Sequence, residues 1–385
     1  MEHTENDIDL LLAEAHELIA EPANDPVSAE VKPEKKSVGR TILRILGRFL
    51  CVLLETVLLV AVALNGVMFV LAKGPSPTAR DIFVLSVRET SAVGFLANLF
   101  FTDEEIAQIQ AGGDTVEFED TDTSLIVIPK PTQPEGDQQG PKPDEWGLVD
   151  EDGDGIIIDT VKGEGFSGYM MVVLDPSRVI MASKPESFGH RGYTVAQMVE
   201  EFDAVAGINA GGFYDPNGQG NGSIPDTMVI YNGQVYYPEF GSANGFVGLD
   251  SNHIMHVGRF TASQAKDKNI RYGVGFGPVL IANGEAVSNV ASGVNPRTGI
   301  GQRSDGAILM LVIDGRQVTS LGATYQDMTE IFLSYGAVNA CNLDGGSSSM
   351  MWYQGGYINN CASVVGIRPV PTTFLVLKEG VSGNG

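Results

Sequence analysis

Three stretches of the sequence combine glycine with side chains that bind or transfer charge: Ile208–Tyr214 (INAGGFY), Asn295–Arg303 (NPRTGIGQR) and Asn342–Ser349 (NLDGGSSS). Glycine lets the backbone approach a ligand closely and accept positive φ, so each stretch reads as a strand running into a tight turn that serves either a fold or a site. Together they carry amides (Asn209, Asn295, Asn342), a guanidinium (Arg297), a carboxylate (Asp344) and hydroxyls (Thr298, Ser347, Ser348). Arg297 suits a phosphate because its planar fork donates paired hydrogen bonds. Asp314, placed before Gly315 at the end of the apolar run Ala307–Ile313, is a second carboxylate for the same edge. Two carboxylates cleave glycosidic bonds when one protonates the leaving group and the other activates water or attacks the sugar. A phosphate leaving group needs less acid, so one carboxylate and one arginine can suffice.

Other chemistries lack their residues. His190, His253 and His256 are the histidines of the C-terminal part, and they form no HExxH pattern. No serine sits in a GxSxG elbow and no phosphate-cradling GxxxxGK[ST] loop is present, which argues against zinc proteolysis, hydrolase triads and nucleotide hydrolysis. No cofactor is expected. Asp150, Asp152, Asp154 and Gly155 match the first half of a calcium loop, but Val161 stands where the bidentate acid belongs, so an acidic turn is the favoured reading. The net charge of −24 disfavours gripping nucleic acid. Much of it lies in Thr102–Gly165, which holds 18 acidic and 3 basic residues.

The elements that must position these residues begin with a membrane span. Phe49–Ala72 is a run of 24 residues with one acid, Glu55, long enough for a hydrocarbon core of about 30 Å. Lys32, Lys35, Lys36, Arg40, Arg44 and Arg48 precede it, whereas only Lys73 and Arg80 closely follow, so the positive-inside rule puts residues 1–48 in the cytoplasm and the rest outside. Asp7–Glu21 has the spacing of a short amphipathic helix. In 73–110, Asp81–Leu99 reads as a helix on the membrane surface or against a copy of the same chain, and Thr102 with Glu105 forms a capping box. Residues 111–153 read as an acidic Pro/Gly linker without a core, and 379–385 as a tail. Between them, 154–378 is an α+β domain, a strand-rich mixed sheet with strands at Ile156–Thr160, Tyr169–Leu174, Met228–Tyr231, Ala307–Ile313 and Thr373–Leu377. Helical patterns are fewer, at Thr194–Phe202 and Thr329–Tyr335. Cys51 packs as a hydrophobe within the span, while Cys341 and Cys361 flank the LDGGSSS turn and are either a disulfide or two free thiols.

Taken in order, NAGGFY, NPRTGIG, the strand ending in IDGR, LDGGSSS and RPVPTTFLV resemble the phosphodiester glycosidase family, that of the N-acetylglucosamine-1-phosphodiester alpha-N-acetylglucosaminidase catalytic domain, over about Gly165–Lys378. The resemblance implies a pocket lined by Asn209, Arg297, Asp314 and Asp344 and shaped by Gly345, Gly346 and Ser347. Together with the membrane span read above, it implies an anchored extracellular hydrolase that cleaves a sugar–phosphate bond in envelope or exopolysaccharide material. In that assignment Asp344, Asp314 and Arg297 are catalytic, and Asn209, Asn295, Thr298, Asn342, Gly345, Gly346 and Ser347 bind substrate. The rival reading is a non-catalytic envelope protein that uses the same pocket to hold phosphorylated glycans.

Overall fold

A computed structural model describes residues 38–90, 93–112, 120–129, 142–237, 245–363, 366–381 and 383. The amphipathic pattern Asp7–Glu21 and the lysines at 32, 35 and 36 lie outside these residues. The chain divides into two units, 1–65 and 66–385. The first contains most of the helix Val38–Lys73, whose stretch Ile42–Lys73 has 32 residues and a mean hydropathy of 2.3. At about 1.5 Å per residue that stretch is longer than a hydrocarbon core. The helix begins ahead of the expected span because nothing between Val38 and Phe49 breaks it. Its large apolar side chains from Ile42 to Leu71 are mostly exposed, whereas Ala72 is buried.

The second unit is strand-rich with few helices, as expected, and holds three sheets in which every strand pair among the described residues is antiparallel. The seven-stranded sheet runs Ile156–Gly163, Phe166–Val173, Ile308–Ile313, Arg297–Arg303, Ala337–Leu343, Val279–Ala282, Glu285–Ala286. A five-stranded sheet runs Gly356–Tyr357, Met351–Tyr353, Ala204–Asn209, Thr372–Leu377, Val179–Ser183. A second one runs Gln234–Val235, Val229–Tyr231, Ile270–Phe276, Gly245–Asp250, Met255–Gly258. The strand Ile308–Ile313 is apolar at every position because both its faces are covered. Ile308, Met310 and Val312 enter a core shared with both five-stranded sheets. Leu309, Leu311 and Ile313 turn the other way, into a layer closed by Met328 and Phe332 of the helix Tyr325–Ser334.

That helix explains the glycines of NPRTGIG. A Cβ at Gly299 would stand 2.7 Å from Met328 Cε, and one at Gly301 would stand 3.1 Å from Phe332 Cδ1. Bare backbone at these two positions lets the helix lie on the strand. The helix starts earlier than its apolar spacing predicts because Thr324 and Asp327 form a capping box at its end. Helix Val195–Glu201 is capped the same way by Thr194 and Gln197, and the expected Thr102–Glu105 box is present.

Two expectations about the connecting segments change. The stripe in Asp81–Leu99 is split between helices Pro77–Arg88 and Phe95–Asn98, and Val84 and Ala97 are buried by this chain's own Ala72, Phe101 and Ile106. Parts of the linker belong to the domain. Asp144 accepts from Arg303 Nη1 at 2.6 Å, Trp146 lies under the Arg303 guanidinium at 3.8 Å, and Val127 N donates to Ser304 O at 2.8 Å. Arg303 is nearly inaccessible, and a buried guanidinium requires such partners. The Asp150–Asp154 segment folds as an acidic turn, with Asp150 accepting from Gly153 N and Gly155 N.

Cys341 and Cys361 are free thiols. Cys341 is buried in the shared core, where desolvation drives its pKa up, and Cys361 packs at the edge of the same cluster. Denaturation without reductant followed by alkylation is therefore expected to label all three cysteines. An intact mass that rises on reduction would show a bridge.

Candidate active site

Asp344 follows directly on the strand Ala337–Leu343, at a turn that crosses from the seven-stranded sheet to a five-stranded one. Its backbone is gripped from the neighbouring sheet: Asp344 N donates to Ala210 O at 2.9 Å, and Asn209 Nδ2 donates to Asp344 O at 2.6 Å. Asn209 Oδ1 accepts from Thr298 Oγ1 at 2.9 Å and from Met350 N at 3.1 Å. Asn209 and Thr298 are fully buried. Both are expected to bind substrate; here they brace the turn, with both ends of the Asn209 amide engaged.

The turn opens into a cavity of about 640 Å³ lined by, among others, Asp344, Asp226, Asn342, Arg316, Arg368 and Glu89. Gly345, Gly346, Ser347, Asn295 and Arg297 also line it, so most of the residues expected from the sequence converge. Asp314 does not line it. Its carboxylate accepts from Asn359 Nδ2 (3.2 Å), Asn360 N (2.9 Å) and Asn360 Nδ2 (3.2 Å), which pins the segment around Asn359. A strand end near the pocket carried a carboxylate that points into a structural bracket.

The second carboxylate of the cavity is Asp226. Burial raises its pKa, and its Oδ1 is buried with no hydrogen-bond partner among the described residues. Its carboxylate lies so close to the backbone that a Cβ on Gly212 would stand 3.0 Å from both oxygens. The second glycine of NAGGFY is thus the room Asp226 occupies. Asp344 is pushed up to about 7, first by burial and further by Asp226, while a hydrogen bond from Ser348 opposes the rise. Nothing in the motif pattern marks Asp226. Its signal is physical, an unpartnered carboxylate facing another across a cavity.

The far wall is cationic. Arg297 is buried, stacks at 4.3 Å on the Tyr325 ring, and donates from Nε to Ala323 O (3.0 Å) and from Nη2 to Gly293 O (2.6 Å). Nη2 also donates to Glu89 Oε2 at 2.7 Å. The fork expected to hold phosphate is therefore largely committed to backbone and to a carboxylate from the segment after helix Pro77–Arg88. Glu89 accepts as well from Gly293 N (3.0 Å) and Asn295 Nδ2 (2.8 Å). Asn295 Oδ1 takes a bond from Arg316 Nη2 at 3.1 Å. Asn342 donates from Nδ2 to Gly277 O at 2.7 Å and leaves Oδ1 without a partner among the described residues.

On a third side Arg368 makes two 2.7 Å bonds to Asp215 and lies 4.9 Å above the Phe213 ring. Burial works against the Asp215 charge, but Arg368 outweighs it and holds that carboxyl below its usual range. The cavity thus has two protonatable carboxylates facing a cationic wall, the arrangement needed to bind an anionic group beside a bond cleaved by acid–base chemistry.

Residues 202–377 match the family model described as phosphodiester glycosidase. A stretch of 181 residues is 33% identical to the SPbeta prophage-derived uncharacterized protein YomE of Bacillus subtilis (strain 168), covering 43% of this chain and 27% of that protein. The chain thus spans about a quarter of that relative's length. Among solved structures, the catalytic domain of zebrafish N-acetylglucosamine-1-phosphodiester alpha-N-acetylglucosaminidase, auto-inhibited by its pro-peptide, is 18% identical with a TM-score of 0.49, covering 58% of this chain and 82% of that one. A hypothetical protein from Synechocystis is 17% identical with a TM-score of 0.43, covering 58% and 62%. What the family model marks is a phosphodiester glycosidase-like stretch over residues 202–377.

Proposed function

We propose that this chain is a membrane-anchored hydrolase that cleaves the bond between an anomeric carbon and the oxygen of a glycosyl-1-phosphodiester. The observation that carries this reading is the pair Asp344 and Asp226, both raised by burial, in one cavity with the arginine wall. Two neighbouring buried carboxylates, of which Asp226 raises Asp344, keep a single proton between them over a range of pH, and their titration belongs to the pair. The charged member takes a proton from water as the water oxygen bonds to the anomeric carbon, or it attacks that carbon itself and water then displaces it from the glycosyl ester, releasing the sugar. The C–O bond breaks with its electrons moving to the phosphate, and the protonated member supplies a proton to the departing oxygen where one is needed. A phosphomonoester leaves, with a second pKa of about 6 that asks little of an acid. A free reducing sugar is the other product.

The reading includes topology. Arg40, Arg44 and Arg48 precede the apolar run, so the N-terminal end is assigned to the cytoplasm and residues 74–385 to the outside, where envelope glycans carry sugar–phosphate bonds. Protease added to intact cells should remove the globular unit. Cleavage only after lysis would reverse the orientation.

The catalytic claim is tested with the full chain in detergent and a panel of glycosyl-1-phosphodiesters, following release of reducing sugar. The expected result is hydrolysis of at least one member, with kcat/KM rising and then falling as pH increases. The falling limb lies near 7, where Asp344 loses its proton and both carboxylates are charged. Asp344→Asn and Asp226→Asn should each lower turnover by about a hundredfold or more and remove the bell shape. Binding without release of sugar across the panel would favour the rival phosphoglycan-binding role.

A further inference from the structure

From the way the cavity's charges are matched, we infer that Arg316, rather than Arg297, is the residue that grips the substrate phosphate. The inference rests on the reading of this cavity as a glycosyl-phosphodiester site. Arg297 is buried, its Nε and Nη2 are bonded to the carbonyls of Ala323 and Gly293, and its charge is matched by Glu89 at 2.7 Å. Arg316 differs on each count. Its side chain is exposed to the cavity, and its Nη2 donates only to neutral oxygens, Thr90 Oγ1 at 2.8 Å and Asn295 Oδ1 at 3.1 Å. Among the described residues Nε and Nη1 have no hydrogen bond, and although Glu89 acts on its charge from a distance, no carboxylate lies within ion-pair distance of the guanidinium. Arg297, Arg316 and Glu89 together leave one positive charge unmatched, and a phosphodiester carries one negative charge.

Position supports the same assignment. A Cβ at Gly346 would stand 3.3 Å from Arg316 Nη2 and 3.6 Å from Nη1, so the guanidinium lies against the turn that begins at Asp344. An anion on Arg316 is therefore held at the carboxylate turn, where the scissile bond must be. The backbone is bent to this end. Arg316 has φ of 57°, a left-handed conformation that costs a non-glycine residue energy and recurs at ligand clamps. Preceding Gly315 passes so close to Pro296 that a Cβ there would stand 2.7 Å from Pro296 N. Asn295 and Thr90 then fix the side chain across the cavity.

The test uses the full chain in detergent and the dimethyl phosphate anion as probe, followed by calorimetry, with melting measured on the same samples. The expected result is that Arg316→Gln weakens binding at least tenfold with an unchanged melting midpoint. Added guanidinium should restore part of the affinity to Arg316→Gly, a rescue that a bracing role does not produce. Arg297→Lys should instead lower the melting midpoint. A folded Arg316→Gln protein that binds dimethyl phosphate like the native chain, or a native chain that does not bind it, overturns the inference. If Arg316→Gln also cleaves a diester at the native kcat/KM, the function stands and the assignment of Arg316 falls. Phosphate binding that depends on Arg316 without any release of sugar leaves the assignment in place and removes the hydrolase.

Discussion

The architecture around the cavity depends on one bracket, the amide of Asn209 bonded to the carbonyl of Asp344 across two sheets. A carboxylate at the mouth of a buried turn is costly to hold, because desolvation opposes its charge and neighbouring acids add to the cost. The cost is met by fixing the backbone on both sides. Ala210 O takes the Asp344 amide, and Asn209 ties Thr298 and Met350 to the same point. Thr298 in turn belongs to the strand whose glycines receive the helix Tyr325–Ser334, so packing on the far face of the sheet reaches the site through one strand. The carboxylate stays where water alone would not leave it.

A second constraint comes from outside the family match. Glu89 lies in the segment between the long apolar helix and the domain, and it supplies the counter-charge of the buried Arg297. Ser86 accepts from Val294 N at 2.9 Å, and Gly293 leaves room for the helix backbone there. Removing the partner of a buried charge is more damaging than removing an exposed pair. The segment that follows the long apolar helix is thus part of the folded unit and of the cavity wall.

Much of this was legible in the sequence, and the failures have physical causes. The long helix, the strand cores and the capping box at Thr102 follow from hydropathy period and local hydrogen-bonding chemistry, which act over a few residues. Asp344 with its glycines was found because a strand-ending turn needs residues of those types. Asp226 is not legible in the sequence, because its importance comes from packing on Gly212 and sharing the cavity with Asp344, relations without a local pattern. Asp314 was chosen for its place at the end of a strong strand, but Asn359 and Asn360, far along the chain, claim its oxygens. Arg297 was read by its side-chain chemistry alone, and only the fold reveals that carbonyls and Glu89 already occupy that fork. Asn209 shows the same limit, since its residue type suits a sugar as well as it suits a bracket.

The proposed chemistry requires that Asp344 and Asp226 titrate as a pair raised by burial within one cavity. Carboxyl-carbon NMR of the full chain labelled with 13C-aspartate, assigned through Asp344→Asn and Asp226→Asn, tests it without any substrate. The account predicts one carboxyl titrating near 7 that disappears in Asp344→Asn, and a second whose titration falls when that neighbour loses its ability to ionise. Two independent titrations near the ordinary aspartate value of about 4, each indifferent to removal of the other, would contradict it.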